Sequence, residues 1–127
     1  MRRTDQRREA VFAIYQRDVT GRPLDDLLTE AKPFSRDLAR GVAEHQDDLD
    51  AEIGANAHGW TIQRIAPLER AIMRVALFEI HHRQEIPVVV SIDEAVSLTG
   101  KYCGAEAPGF VNGILAAIAG QAEEAPA

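Results

Sequence analysis

The stretch from Pro67 to Val96 constrains the fold of this chain more than any other, and its first half has the pattern of a helix. Pro67 suits the first helical position, where its missing N–H has no bonding partner to lose. At about 100° per residue, apolar residues cover most of the following turns, and only Arg70 and Arg74 mark a solvent side. Glu79 falls inside the apolar arc. A helix this apolar is usually surrounded by other helices, so we expect it at the centre of the fold.

The second half of this stretch predicts a connector and then another helix. The run Val88–Val90 is the one strand-like piece, and without a partner strand we expect it to be an extended connector. Ser91 and Glu94 have the spacing of a capping box, which predicts that the next helix begins there. The predicted architecture is therefore all-α, a compact domain of six or seven helices.

Apolar residues at helical spacing predict the other helices. The predicted inward-facing positions are Val11, Ile14, Tyr15 and Val19; Phe34, Leu38, Val42, Leu49 and Ile53; Ile92, Ala95, Val96, Thr99 and Cys103; and Val111, Ile114, Leu115 and Ile118. Gly41 weakens its helix by about 1 kcal/mol relative to alanine, which we interpret as a position of close helix contact. The last stripe ends near Gly120, so we predict one domain over residues 1–120 and a flexible tail over 121–127.

Composition limits the classes of function. With 127 residues, 46% of them hydrophobic, the chain has the size of one globular domain, and no run is long enough to span a membrane. The single cysteine, Cys103, fits a reducing cytoplasm. The sequence contains no glycine-rich phosphate loop, nucleophile elbow or Cys-x-x-Cys pair, and the adjacent His81 and His82 diverge too far on a helix to share a metal. We therefore expect no enzyme, no metal and no cofactor.

Charge is unevenly distributed along the chain. The net charge is −6, but residues 1–22 carry +3 and the remainder −9. Four of the arginines form a basic arm, defined as Arg2, Arg3, Arg7 and Arg8. Arginines at the start of a helix oppose its dipole. A phosphate brought to that end is attracted both by the dipole and by the guanidinium groups. The arm is therefore either a phosphate-binding element or a solvated, partly disordered segment.

Five motifs in this order resemble the NusB family of bacterial transcription antitermination factors, over nearly the whole chain. They are Arg8-Glu9-Ala10-Val11 with Ala13-Ile14-Tyr15-Gln16; Leu38-Ala39-Arg40-Gly41-Val42 with His45, Leu49-Asp50 and Ile53; Arg70 to Ile80; Ile86-Pro87 with Val90-Ser91-Ile92-Asp93-Glu94-Ala95-Val96; and Phe110-Val111-Asn112-Gly113-Ile114-Leu115. The resemblance implies an all-helical fold of two small packed bundles, and a protein that catalyses no reaction.

The resemblance also implies a function and partners. A NusB-like protein pairs with the ribosomal small-subunit protein NusE, and the pair binds the single-stranded boxA element of nascent RNA, notably ribosomal RNA. Together they help assemble the antitermination complex of RNA polymerase. Because this chain is acidic outside the basic arm, we expect it to bind RNA weakly until a second protein adds basic surface.

The candidate RNA-binding residues come from the same resemblance. The arginine-rich arm of the family maps onto Arg3, Arg7 and Arg8, with Arg2 beside them, and a guanidinium suits RNA because it grips phosphates and stacks on bases. Phe110 resembles the aromatic residue of the family that contacts a base. Phe110 could equally be a packing residue at the start of its helix.

Three further residues are candidates for contacts. Asn112 could bond to an RNA base edge or cap local backbone. Tyr15 and Glu79 match family positions at the NusE interface, but Tyr15 could simply bury its ring. Because an unpaired buried carboxylate is costly, Glu79 needs a partner, and the alternative to NusE is Arg83, four residues later on the helix.

Two other functions stay open. One is an RNA-binding module of the type fused to ribosomal RNA methyltransferases, although we expect no cofactor-binding domain after residue 120. The other is a protein scaffold that self-associates through its apolar helix surface. The sequence leaves a monomer and a homodimer equally open.

Overall fold

The computed structural model describes residues 1–124, and within them it contains helices but no strand. The α-helices are α1 (Arg3–Thr20), α2 (Leu24–Leu27), α3 (Pro33–Asn56), α4 (Pro67–His82), α5 (Val88–Tyr102) and α6 (Ala107–Glu124), and a 3-10 helix covers Ile62–Arg64. The predicted all-α architecture is confirmed. α4 packs against α1 and α3 and also against α5 and α6, which pack on each other. It is therefore shared by two small helical bundles.

The central position predicted for α4 is confirmed, and its burial is more complete than expected. Every residue from Ala71 to Glu79 is buried. The predicted solvent side is wrong for Arg74, which is 4% exposed and donates from Nε and Nη2 to the two carboxylate oxygens of Asp50 at 2.7 and 2.9 Å. Arg70 is partly buried and donates to Asp18 at 2.8 Å. The spacing of residues along α4 predicts a polar side of the helix, but it does not show that carboxylates of α1 and α3 cover that side.

α5 begins earlier than its sequence predicts. The run Val88–Val90 forms its first turn, so the predicted extended connector is wrong. Pro87 is the cap residue, and the Val90 N–H donates to the Pro87 carbonyl oxygen at 3.0 Å. β-branched residues lower helix propensity only slightly. The contacts that α5 makes with α4 and α6 outweigh this small loss. Ser91 and Glu94 consequently lie inside the helix and do not form the predicted capping box.

Gly41 allows α3 and α4 to approach closely, as predicted. A Cβ atom at this position would overlap the ring of Phe78 on α4. The predicted inner face of α3 is confirmed as well, since all of its members are buried: Phe34, Leu38, Val42, Leu49 and Ile53. In α1, by contrast, Val19 is 48% exposed, so the buried face ends one turn earlier than the apolar spacing suggests.

α6 buries its predicted stripe of Val111, Ile114, Leu115 and Ile118. Its helical backbone continues through Gly120 to Glu124, four residues beyond the predicted end of the domain. The predicted flexible tail over 121–127 stays a prediction, because residues 125–127 lie outside the described part of the chain. None of the described helices is both long and apolar enough to cross a membrane.

Candidate nucleic-acid interface

The basic arm forms the first turns of α1, and three of its four arginines reach solvent. Arg2 has 82% of its side chain exposed and lies 3.4 Å from the Asp5 carboxylate. Arg8, with 38% exposed, lies 3.2 Å from the other oxygen of Asp5. Arg3 is exposed and places its guanidinium 4.4 Å from the centre of the Phe34 ring. Exposed ion pairs contribute at most about 1 kcal/mol, so these guanidinium groups can exchange a carboxylate for a phosphate.

Arg7, the fourth member, is buried. Its Nε and Nη2 donate to the two Glu79 carboxylate oxygens at 2.8 and 2.9 Å, and both side chains are at most 6% exposed. Sequence reasoning assigned Arg7 to RNA and Glu79 to a protein partner, but the structure pairs them with each other. The alternative pair of Glu79 with Arg83 does not form, since Arg83 donates to Asp37 and Glu85. Spacing within one helix could not show a partner 72 residues away.

Polar side chains around this pair join three helices. The Ser91 hydroxyl on α5 donates to Glu79 at 3.1 Å. The Thr4 hydroxyl on α1 donates to Glu94 at 2.8 Å, and Arg7 Nη1 lies 3.6 Å from the same carboxylate. The two residues predicted as a helix cap therefore attach α5 to the start of α1 and to α4. This network fixes the direction in which the basic arm leaves the bundle.

Arg83 is a neighbour of the basic arm that sequence reasoning missed in that role. Its guanidinium lies 5.2 Å from the centre of the Phe34 ring, which Arg3 also covers. A hydrogen bond to Glu85 raises the pKa of Arg83 above its ordinary value, and the Asp37 carboxylate adds to this effect. No local sequence signal could place Arg83 there, because the contact joins the end of α4 to the beginnings of α1 and α3.

Phe110 lies in the first turn of α6, at an open groove of about 610 Å³. Its ring is partly buried and meets Trp60 edge to face, with centroids 6.1 Å apart and planes at 69°. Glu69 and Glu106 also line the groove, and burial raises the pKa of Glu69. We call this feature, lined by Trp60, Arg64, Glu69, Glu106 and Phe110, the aromatic groove. Phe110 thus both packs on the core and lines the groove.

Asn112 and Tyr15 occupy different surroundings. Asn112 is exposed on α6, two residues after Phe110. Tyr15 is partly buried against the core and meets Phe12 edge to face at 6.4 Å. Phe12 in turn meets Tyr102, which is 44% exposed, at 5.2 Å. Tyr15 therefore belongs to a row of aromatic rings that joins α1 to α5.

The structure places the basic arm and the aromatic groove apart. α1 and α4 are antiparallel, because Arg7 pairs with Glu79 near one end and Asp18 pairs with Arg70 near the other. At 1.5 Å per residue, Arg7 and Asp18 are separated by about 16 Å along α1. The arm lies at the carboxyl end of α4, whereas Glu69 places the groove at its amino end. A ligand that touches both must extend along the protein.

The remaining titratable clusters have no ligand geometry. Among the described residues, no group of three or more His, Cys, Asp or Glu side chains could hold a metal ion. The His45 and His82 rings stack with centroids 4.3 Å apart, and His81 Nε2 lies 2.6 Å from a Glu52 oxygen. Burial, followed by the nearby His45 and His81, lowers the pKa of His82.

These features define a class: an all-helical bundle around one buried apolar helix, with a basic first helix and an aromatic groove at the opposite end. The sequence profile of the NusB family matches residues 4–120, and the chain belongs to that family. It is similar to the transcription antitermination protein NusB of Geobacillus kaustophilus, with 39% identity over 93% of this chain and 95% of that protein. Its identity with the NusB protein of Bacillus subtilis is 38%, over 98% of this chain and 99% of that protein.

Solved structures give the same assignment of fold. T. maritima NusB superposes with a TM-score of 0.89 at 27% identity, over 95% of this chain and 92% of that one. A chain in the crystal structure of antitermination factors NusB and NusE in complex with dsRNA superposes with a TM-score of 0.85 at 24% identity, over 94% and 96% of the two chains. At 24% identity, the similarity to the chain in the NusB and NusE complex concerns the fold alone.

Proposed function

We propose that this chain is a transcription antitermination factor that pairs with NusE and binds boxA RNA in nascent transcripts, notably ribosomal RNA. The observation that carries the proposal is the exposed basic arm, fixed to an otherwise acidic bundle by the buried Arg7–Glu79 pair. The names of the relatives support it, since these are transcription antitermination proteins matched over nearly their full length. The site of action is then the cytoplasm, in the antitermination complex of RNA polymerase.

RNA contacts divide between phosphate binding and base binding. Arg2, Arg3 and Arg8 have exposed or partly exposed guanidinium groups for phosphates. Arg7 acts as a positioning residue, because its own donors are used by Glu79. At the other end, Phe110 offers a partly buried aromatic ring on which an unstacked base can stack.

Two further contacts belong to the proposal. Asn112 is exposed beside Phe110 and can bond to a base edge. NusE contact is assigned to the row of aromatic rings that runs from Tyr15 through Phe12 to Tyr102, which is 44% exposed. Glu79, the other residue predicted at the NusE interface, is 1% exposed, and its part in the proposal is to hold Arg7 at the start of α1.

Two alternatives have less support. For the methyltransferase-type module, the two relatives named above are antitermination proteins, and this chain covers 95% and 99% of their length. For the self-associating scaffold, the central apolar helix, α4, is already covered within one chain by four other helices.

Fluorescence anisotropy with a labelled boxA RNA tests the proposal. We expect weak binding to this chain alone, much tighter binding after NusE is added, and an affinity that falls with salt because phosphates release counterions. An RNA of the same length and composition with a scrambled sequence is the control. Tight binding without NusE, or equal binding of the scrambled RNA, would contradict it. Light scattering of the same samples separates self-association from RNA binding.

A further inference from the structure

Trp60, the only tryptophan of the chain, is 48% exposed. Burying an indole is strongly favourable, so a half-open tryptophan needs an explanation. Local structure holds it in place. The preceding residue, Gly59, has φ of +81°, and the Trp60 N–H donates to the Ala57 carbonyl oxygen at 2.8 Å. The backbone turn therefore presents Trp60 at the surface of the bundle.

Arg64 and Phe110 both lie next to this indole. The Arg64 guanidinium lies 5.8 Å from the Trp60 ring centroid, in cation–π range, and Phe110 meets the same ring edge to face at 6.1 Å. Arg64 is exposed and forms no ion pair with the residues whose side chains the structure describes. Three flat groups, two from the connection between α3 and α4 and one from α6, thus line one open groove.

The charge of the aromatic groove indicates which part of a nucleic acid it fits. Glu69 and Glu106 line it and would repel phosphates, but a carboxylate accepts hydrogen bonds from the amino groups of bases. Aromatic rings and guanidinium planes stack on unpaired bases. The groove is therefore suited to the bases of a single strand whose phosphates stay outside it.

We propose that Trp60 and Arg64 extend the base-binding surface beyond Phe110, and that one or two unstacked bases carrying amino groups stack in the aromatic groove of this chain. The inference rests on the proposed function, since it assumes that RNA reaches this end of the protein. It adds two residues for which the sequence carried no RNA signal. It also gives RNA a second contact, at the opposite end of α1 from the basic arm.

Intrinsic fluorescence tests this directly, because the emission comes from Trp60 alone. Titration with the single-stranded boxA RNA should quench the emission in parallel with the rise in anisotropy of the labelled RNA. In the NusE complex, the same titration of a Trp60→Phe chain provides the blank for any tryptophan of NusE. An RNA in which uracil replaces every base with an amino group should bind more weakly and quench less.

Substitutions make the test independent of the optical signal. Trp60→Ala should weaken RNA binding by about 5- to 150-fold, the loss expected for one base stack, with an unchanged dependence on salt. Trp60→Phe should retain most of the affinity. Arg64→Ala should weaken binding, whereas Arg40→Ala, which removes an exposed arginine that pairs with Asp25 and does not line the groove, should change it little. Circular dichroism and thermal unfolding confirm that each variant is folded.

The outcomes separate the inference from the proposed function. If RNA binds without quenching and the folded Trp60→Ala chain binds equally well, the inference is overturned and the proposed function stands. If NusE alone changes the Trp60 emission and RNA adds nothing further, the groove holds protein and the inference is again overturned. If boxA RNA does not bind even with NusE, both fail.

Discussion

Arg7 and Glu79 form a bidentate, buried ion pair between α1 and α4, although 72 residues separate them in the chain. Because of this pair, the four arginines of the basic arm do not share one role. Arg7 holds α1 on the bundle, and the other three project from the end that this contact fixes. Ser91 completes the site by donating to the same carboxylate.

The first prediction concerns the stability of this pair. Glu79→Gln keeps the shape of the side chain but leaves the Arg7 cation buried without a counter-charge. We expect a loss of about 3–5 kcal/mol in the free energy of unfolding, measured by urea denaturation. Arg8→Ala, which removes an exposed partner of Asp5, should cost less than about 1 kcal/mol.

A double substitution shows whether charge or packing matters at this site. Arg7→Met with Glu79→Leu replaces the pair by apolar side chains, so it should recover most of the stability lost by Glu79→Gln. An equal loss in Glu79→Gln and Arg8→Ala would show that the buried pair contributes no more than a surface contact.

The second prediction uses two glycines of α3. A methyl group at Gly41 would overlap the Phe78 ring, whereas one at Gly54 would have no atom within 4 Å beyond its chain neighbours and the nearby backbone of its own helix. Gly41→Ala should therefore destabilise the protein by about 1–3 kcal/mol through overpacking. Gly54→Ala should stabilise it by about 0.4–1 kcal/mol, since alanine restricts the unfolded chain. Thermal unfolding of the two variants measures both, and equal effects at the two positions would refute the close contact.

The third prediction concerns the reactivity of Cys103. Burial raises the pKa of its thiol above the ordinary 9.0, and the Glu69 carboxylate adds a smaller effect in the same direction. Because only the thiolate is alkylated, the pH profile of iodoacetamide modification should have a higher midpoint in the folded protein than in the urea-unfolded chain. Glu69→Gln should lower that midpoint without restoring the value of the urea-unfolded chain, because burial remains. A folded-state midpoint at or below the unfolded one would contradict this prediction.

The fourth prediction separates phosphate contacts from base contacts. Arg3→Ala should weaken RNA binding and reduce the slope of log K against log salt by about 1, the change expected for one lost phosphate contact. Phe110→Ala should weaken binding with little change in that slope. Anisotropy titrations at several salt concentrations, with Arg40→Ala as the control, measure both effects. Unchanged affinity and slope in Arg3→Ala would remove the basic arm from the RNA interface.

Apolar spacing was sufficient to predict the helices and most of the core. The inner face of α3 and the stripe of α6 are buried as predicted, because a period near 3.6 residues is a local property of one helix. Apolar spacing failed at the start of α5, where Val88–Val90 is helical, and at Val19, which is 48% exposed. Other errors occurred where a polar residue had two possible roles. Ser91 and Glu94 have the spacing of a helix cap, yet their side chains bond to residues of α4 and α1.

The candidate site was predictable in its composition but not in its arrangement. The basic arm is visible as a run of arginines, and Phe110 as part of a family motif. Trp60 and Arg64 carried no such signal, because their neighbour Phe110 lies about fifty residues later in the chain and only packing brings the three together.

The sequence by itself determined the helical class, the central apolar helix and the separation of positive charge at one end, since these depend on periodicity and composition along the chain. Only the tertiary structure decided which charges are available to a ligand. Arg7 and Arg74 look like solvent-exposed arginines in the sequence, but both are buried against carboxylates from other helices. The physical reason is that the free energy of a charge depends on the groups packed around it, and those come from distant parts of the chain.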